Sequence, residues 1–247
     1  MNRSWNLGEY AGIDVFVHWS FLLLPTWIVL SGLIGGSSIV NVVNSIVLVF
    51  VVFGCIVLHE FGHALTARRF GIGTQDITLY PFGGVASLDR MPELPRQELA
   101  VALAGPAVNV VLASFCFLAL ILNRSSSFGL MIPVNDQFLL VQLMWMNLGI
   151  AVFNMLPAFP MDGGRVFRAL LAKRLSYVHA TNIAALVGQM LAIVLAIAGL
   201  LTSWKLTLLA LFVFMAGRAE ADMVRRQAVG VRRLTSDNTR VGFEGLA

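Results

Sequence analysis

Charge is what this chain has least of. Only 12% of its 247 residues are Asp, Glu, Lys or Arg and 58% are hydrophobic, whereas a soluble domain carries about 25% charged residues. Residues 15–58 contain no charged side chain, and neither do residues 175–204. With a mean hydropathy of +0.82, that depletion excludes a soluble globular domain and implies a polytopic membrane protein. Cysteine is scarce as well. Cys55 and Cys116 both fall in apolar runs and are not spaced as a zinc or redox pair, so each reads as a buried free thiol. No cleavable leader is expected, because residues 1–14 are polar and no small-x-small feature follows the first apolar run.

In place of charge, the chain has apolar runs cut by glycine, serine and proline. The expected spans are residues 19–34, which break at Gly35-Gly36-Ser37-Ser38, then 40–68, 99–122 and 137–155, with 123–136 as a short loop. A short basic helix ends near Arg174, a fifth span of about 20 residues lies within 175–204, and a sixth runs over 204–217, where Lys205 snorkels to the interface. Between the second and third spans, Ile77 and Leu79 alternate with Thr78 and Tyr80 before Gly83 and Gly84, a pattern of short strands. The fold class expected is therefore an all-α polytopic membrane protein with about six transmembrane helices and a short β-hairpin or re-entrant strand segment. Residues 1–217 form the membrane-embedded domain and 218–247 a basic cytoplasmic tail, too short for a folded regulatory domain.

The basic residues orient this arrangement. With both termini cytoplasmic, Arg124 and Lys205 are the only two of the 17 Lys and Arg residues left outside, as the positive-inside rule favours. The asymmetry explains the net charge of +4 without a nucleic-acid partner, and it sets Arg225-Arg226 and Arg232-Arg233 against anionic headgroups.

Against the apolar background, His59, Glu60 and His63 arrive together as H-E-x-x-H near the end of the second span. Residues four apart share one helical face, so the two imidazoles can converge on one metal ion while Glu60 reaches a water beside it. The plainer alternative is a helix carrying a capped or paired histidine. Ionisable groups in a spanning helix are costly and functional by default, which favours the metal. At about 1.5 Å per residue, the five residues from His63 to Arg68 put the site about 7 to 13 Å inside the cytoplasmic boundary. A catalytic zinc needs a third protein ligand. Asp162 is the candidate, because it follows a stretch broken by Pro157 and Pro160, and irregular backbone at membrane depth is tolerated where it lines a cavity. The competing reading has Asp162 capping the helix that begins at Gly163-Gly164-Arg165.

His59-Glu60-Phe61-Gly62-His63 together with Asn154-Met155-Leu156-Pro157-Ala158-Phe159-Pro160-Met161-Asp162-Gly163-Gly164-Arg165 resembles the site-2 protease family of intramembrane zinc metalloproteases. Val17-His18-Trp19-Ser20, Phe82-Gly83-Gly84-Val85 and Ala104-Gly105-Pro106-Ala107-Val108-Asn109 extend the resemblance over about residues 10–217. It implies one Zn2+ per chain held by His59, His63 and Asp162, Glu60 as base, and Asn154 near the scissile carbonyl. It further implies regulated proteolysis of a membrane protein with a transmembrane helix, in the lipid bilayer of a bacterial or archaeal cell. Many relatives carry PDZ or CBS modules, for which this sequence leaves no room. The oligomeric state is not readable. Gly105 and Asn109 share a helical face and are expected to bring the third span close to the second, with Asn109 bonding across. His18 is expected at the interface or hydrogen-bonded, and His179 solvated. Two rivals stay open: a non-catalytic zinc-binding scaffold, and a transporter using His59, Glu60 and Asp162 as an ion path.

Overall fold

The computed structural model describes residues 4–90, 92, 94–124 and 134–244; most of the expected loop at 123–136 lies outside the described residues. The chain forms two compact units, Met1–Asn154 and Met155–Ala247.

The first unit opens with two strands, β1 (Ser4–Tyr10) and β2 (Ile13–His18), followed by a 3-10 turn (Trp19–Leu22). Helices α1 (Leu23–Ile34) and α2 (Ile39–Arg68) precede strands β3 (Thr74–Tyr80) and β4 (Gly83–Leu88), and α3 (Pro95–Arg124) and α4 (Val134–Asn154) complete it. The strands make one sheet in the order β1-β2-β3-β4. The outer pairs are antiparallel, and β2 runs parallel to β3 with Val15 opposite Ile77 and Val17 opposite Leu79. A parallel pair needs a crossover, and the helices α1 and α2 supply it. The expected hairpin at 77–87 is thus present. The chain is mostly helical as expected, and the N-terminal hairpin doubles the small sheet beyond the one hairpin expected. Its alternation is short and runs straight into the first apolar stretch, so composition hides it; Ile13 and Val15 are nevertheless buried.

The sheet lies along α2. Ile13, Ala64 and Ile77 bury one another with Phe61 and Ala86 at the flank, and Phe21, Phe53 and Leu79 form a second cluster further along the helix. At the β1–β2 turn, Ala11 and Gly12 take positive φ (53° and 74°), and Arg68 at the end of α2 donates to the Ala11 carbonyl at 2.6 Å. On the expected break before α2, Ser38 is the N-cap, its hydroxyl accepting from the Asn41 amide. Helix α3 approaches α2 closely at Gly62, where an added Cβ would stand 2.8 Å from the Ala104 carbonyl oxygen.

The second unit holds the loop 155–161 and helices α5 (Asp162–Ala172), α6 (Tyr177–Thr202) and α7 (Trp204–Glu244). Small side chains on α6, among them Ala184, Ala185 and Ala192, are buried, the composition that lets apolar helices pack closely without a hydrophobic drive. In helix α7, residues 204–217 run without interruption into the stretch after Gly217, whose Ala, Arg and Glu residues are good helix formers. Among the described residues, Ile39–Arg68, Pro95–Leu122 and Tyr177–Thr202 are long and apolar enough to cross a membrane, and Trp19–Ile34 and Phe138–Asn154 are shorter apolar helices.

Among the described residues, Arg168 is the largest fully buried side chain. Its guanidinium lies over the rings of Phe159 in the loop and Tyr177 at the start of α6, at 5.0 and 4.9 Å, and bonds Glu220 on α7 at 2.6 Å. One cation thereby joins loop, α5, α6 and α7. Removing one partner of a buried pair costs about 3 to 5 kcal/mol, so Arg168→Met is expected to lower thermal stability strongly and Glu220→Gln, at the more exposed end, by less. Equal unfolding midpoints for wild type and Arg168→Met would refute this assignment.

Candidate metal centre

His59 and His63 sit one turn apart on α2 and are both buried. Their Nε2 atoms face each other at 3.0 Å, with the rings nearly perpendicular. Each Nδ1 is engaged on the far side. That of His63 bonds the Val101 carbonyl at 2.7 Å, an acceptor that requires Nδ1 to carry the proton. That of His59 bonds Asn109 Oδ1 at 2.5 Å. With both Nδ1 atoms donating, both Nε2 atoms present lone pairs to one point. Such lone pairs 3 Å apart repel unless a cation lies between them.

The separation suits zinc. Two nitrogens each about 2.0–2.1 Å from a tetrahedral ion lie about 3.3 Å apart, a small outward movement from the observed distance. Space beside the pair is kept by Gly105: a Cβ there would overlap Nε2 of both histidines. The glycine thereby clears the space in front of both Nε2 atoms as well as permitting helix approach. The expectation for Gly105 and Asn109 holds, with one addition, since what Asn109 meets across the gap is His59 itself.

Glu60 is half-buried on the same turn. Strand β4 passes over it, because a Cβ at Gly84 would come within 2.8 Å of Glu60 Cγ and 3.3 Å of Ile56. Asn147 was not singled out from the sequence. It is buried on α4, accepts from Asn109 Nδ2 at 2.9 Å, and donates to the Leu143 carbonyl at 2.9 Å and toward Cys55 Sγ at 3.4 Å. The available signal was an amide in the middle of an apolar span, where polar side chains bond between helices. Asn154 is the last residue of α4 and half-buried. His18 caps the 3-10 turn through the Ser20 amide, and exposed His179 bonds Ser176; neither joins the histidine pair.

In the second unit, Asp162 is the first residue of α5 and is buried. The cap position belongs to Met161, which makes no side-chain cap bond, so Asp162 is not the N-cap that the competing reading required. Its carboxylate stands where the positive end of the helix dipole favours an anion. The two glycines that follow permit this placement. A Cβ at Gly163 would overlap the Met155 and Leu156 backbone, and one at Gly164 would come within 2.8 Å of Ala158. The proline-broken loop consequently lies directly on the start of α5, while Gly188 of α6 admits Ala158 from another side.

The model of peptidase family M50 matches residues 47–131 and 129–196. The chain belongs to this family. It is similar to the zinc metalloprotease MJ0392 of Methanocaldococcus jannaschii, 37% identical over 233 residues, which cover 93% of this chain and 64% of that protein. It also resembles the putative zinc metalloprotease Rip3 of Mycobacterium tuberculosis, 33% identical over 253 residues, 92% of this chain and 61% of the other. The chain thus spans less than two thirds of the length of these curated relatives. Among solved structures, the site-2 protease from Methanocaldococcus jannaschii superposes with a TM-score of 0.62 at 34% identity, covering 88% of this chain and 95% of that one. Zn2+ is the cofactor of this M50 chain, and the imidazole pair on α2 has the donor chemistry and spacing for it.

Gly105→Ala is expected to weaken zinc binding by at least as much as loss of a partner behind a metal ligand does, about 10–100-fold, because its Cβ takes the space of both Nε2 atoms. Chelator competition on the detergent-solubilised protein measures it. Unchanged affinity would mean the pair binds its ion away from α3.

Proposed function

We propose that this chain is an intramembrane zinc endopeptidase of the site-2 type, hydrolysing a peptide bond in or beside a transmembrane segment of a membrane-tethered protein during regulated proteolysis. The observation that carries the reading is the histidine pair with both Nδ1 atoms engaged and both Nε2 atoms turned to one point, on a helix otherwise apolar enough to span a membrane. His59, His63 and Asp162 are the proposed zinc ligands. Support for Asp162 comes from its burial, its position off the cap, and the Asp-Gly-Gly packing that pins its backbone. The proposed topology has six spans with both termini cytoplasmic in a bacterial or archaeal membrane, 1–217 forming the embedded protease and 218–247 a basic tail. Five apolar helices, the apolar start of α7 and the distribution of Lys and Arg support it.

Bound zinc supplies Lewis-acid polarisation of the scissile carbonyl and a more acidic water. Glu60 takes a proton from the attacking water as its oxygen bonds the carbonyl carbon, and delivers that proton to the amide nitrogen as the C–N bond breaks. Asn154 donates to the carbonyl oxygen as negative charge builds there. A substrate helix hides its carbonyls in i to i−4 bonds and must unwind before attack. Its bared amides need partners near the membrane. β4 is an edge strand and passes over Glu60 at Gly84, so it is the proposed pairing strand, holding the substrate extended by β-augmentation.

Glu60→Gln is expected to stay folded and zinc-loaded yet cleave nothing, and Asn154→Ala to lose about 10²-fold in turnover at near-normal zinc content. Cleavage of a transmembrane reporter and metal analysis on one preparation check both. Substantial turnover by Glu60→Gln would remove the base, and a non-catalytic scaffold predicts no reporter cleavage even by wild type.

For the strand, the amides of an antiparallel pair alternate between facing the partner and facing away, so Val85 and Ala86 have opposite parity. Of Val85→Pro and Ala86→Pro, the variant that keeps the wild-type unfolding midpoint is expected to lose cleavage of a full transmembrane substrate while keeping zinc. Normal cleavage by that variant would end the pairing model.

A further inference from the structure

The two histidines are oriented by different means. His63 donates from Nδ1 to a backbone carbonyl, that of Val101, which has no proton to give and so admits one tautomer. His59 donates to a side-chain amide, Asn109. An amide can turn about its Cβ–Cγ axis and offer NH2 instead of oxygen, which would force the proton of His59 onto Nε2 and remove its lone pair from the metal. Something must hold Asn109 in one sense.

The holding group is Asn147. Its Nδ2 faces the Leu143 carbonyl at 2.9 Å, an obligatory acceptor, so the Asn147 amide has its NH2 toward the backbone and its oxygen toward Asn109. That oxygen accepts a hydrogen bond from Asn109 Nδ2 at 2.9 Å, which leaves Asn109 Oδ1 for His59. Asn109 and Asn147 have 0% and 1% of their surface exposed, so no bulk water can substitute for either partner, and a reversed amide would set NH2 against NH2 at the cost of a buried unmade bond. Every step is dictated by the one before, starting from a main-chain oxygen on α4.

We propose that Asn147 and Asn109 are positioning residues that form a directional relay from the α4 backbone to His59, selecting the Nδ1–H tautomer in which Nε2 is a metal ligand. α3 contributes Asn109 and α4 contributes Asn147, so the register of two further helices is written into the electronic state of one ligand. The inference rests on His59 being a zinc ligand, and is independent of whether the protein is a protease. Partners of this kind change metal affinity about 10–100-fold when removed.

The test uses the full-length, zinc-loaded protein in detergent, with zinc affinity from chelator competition and 15N NMR of labelled histidine reporting the Nδ1 proton of His59, His63 serving as internal control. Asn147→Leu and Asn109→Leu are expected to weaken zinc about 10–100-fold and to change the His59 signal alone. Asn109→Asp keeps an oxygen to accept from His59 Nδ1 while losing the donor to Asn147, and is expected to keep the Nδ1 proton on His59 and to bind zinc more tightly than Asn109→Leu. Wild-type affinity with an unchanged His59 signal in both leucine variants would overturn the relay. So would a wild-type spectrum in which His59 Nδ1 carries no proton, a reading that needs no variant to fold. His59→Ala separates the two layers of the argument. If it keeps zinc, the ligand assignment fails and the relay with it; if it loses zinc while the leucine variants do not, the relay alone fails.

Discussion

The close approach of α3 to α2 is the contact on which the first unit depends. Polar groups on an apolar helix have no water to turn to, and each must be satisfied by protein. Gly62 and Gly105 bring the two backbones near enough for this. Through that approach the Val101 carbonyl reaches His63 and the Asn109 side chain reaches His59. The same missing Cβ at Gly105 clears the space that a metal needs. A wider helix separation would leave both Nδ1 protons bare and both Nε2 atoms undirected, so helix packing and ligand geometry are one requirement.

The second unit meets a comparable problem with different means. Its loop 155–161 is irregular backbone, and the Asp162-Gly163-Gly164 sequence lets that backbone lie against the first turn of α5 with no side chain between. Arg168 then fastens the arrangement from within, its charge shared between two aromatic faces and Glu220. A guanidinium suits this place because it is flat, stacks on rings and forms directed bonds at its edge. Asp162 gains a rigid seat from these contacts before any metal is considered.

The sheet relates the N-terminus to the helix that carries the histidine pair. β2 and β3 pair in parallel across the helical crossover, and Ile13 and Ile77 pack together on Ala64, one residue from His63. The strand that crosses Glu60 is therefore held from both ends of the sequence that precedes α3. Membership of peptidase family M50 accords with this design, and the 95% coverage of the solved site-2 protease indicates that the superposition includes nearly all of that chain.

Much of this was legible in the sequence. Uncharged stretches announced the long helices, because a bilayer tolerates little else; the H-E-x-x-H spacing announced two imidazoles converging on one helical face; and the alternation of Ile77 and Leu79 announced a strand. Each of these signals is local and periodic. The N-terminal hairpin was not legible, since six alternating residues merge with the apolar stretch that follows. Nor was the continuity of α7 past Gly217. The fate of single polar residues in apolar helices was beyond reach for a different reason: spacing says that Asn109 and Asn147 face something, and only packing says what. The sequence by itself determined that two imidazoles share a face inside a membrane helix. Tertiary structure alone decided which nitrogen of each carries the proton, because that depends on acceptors 38 and 50 residues away along the chain, brought near by glycines whose purpose shows only when the helices are in contact.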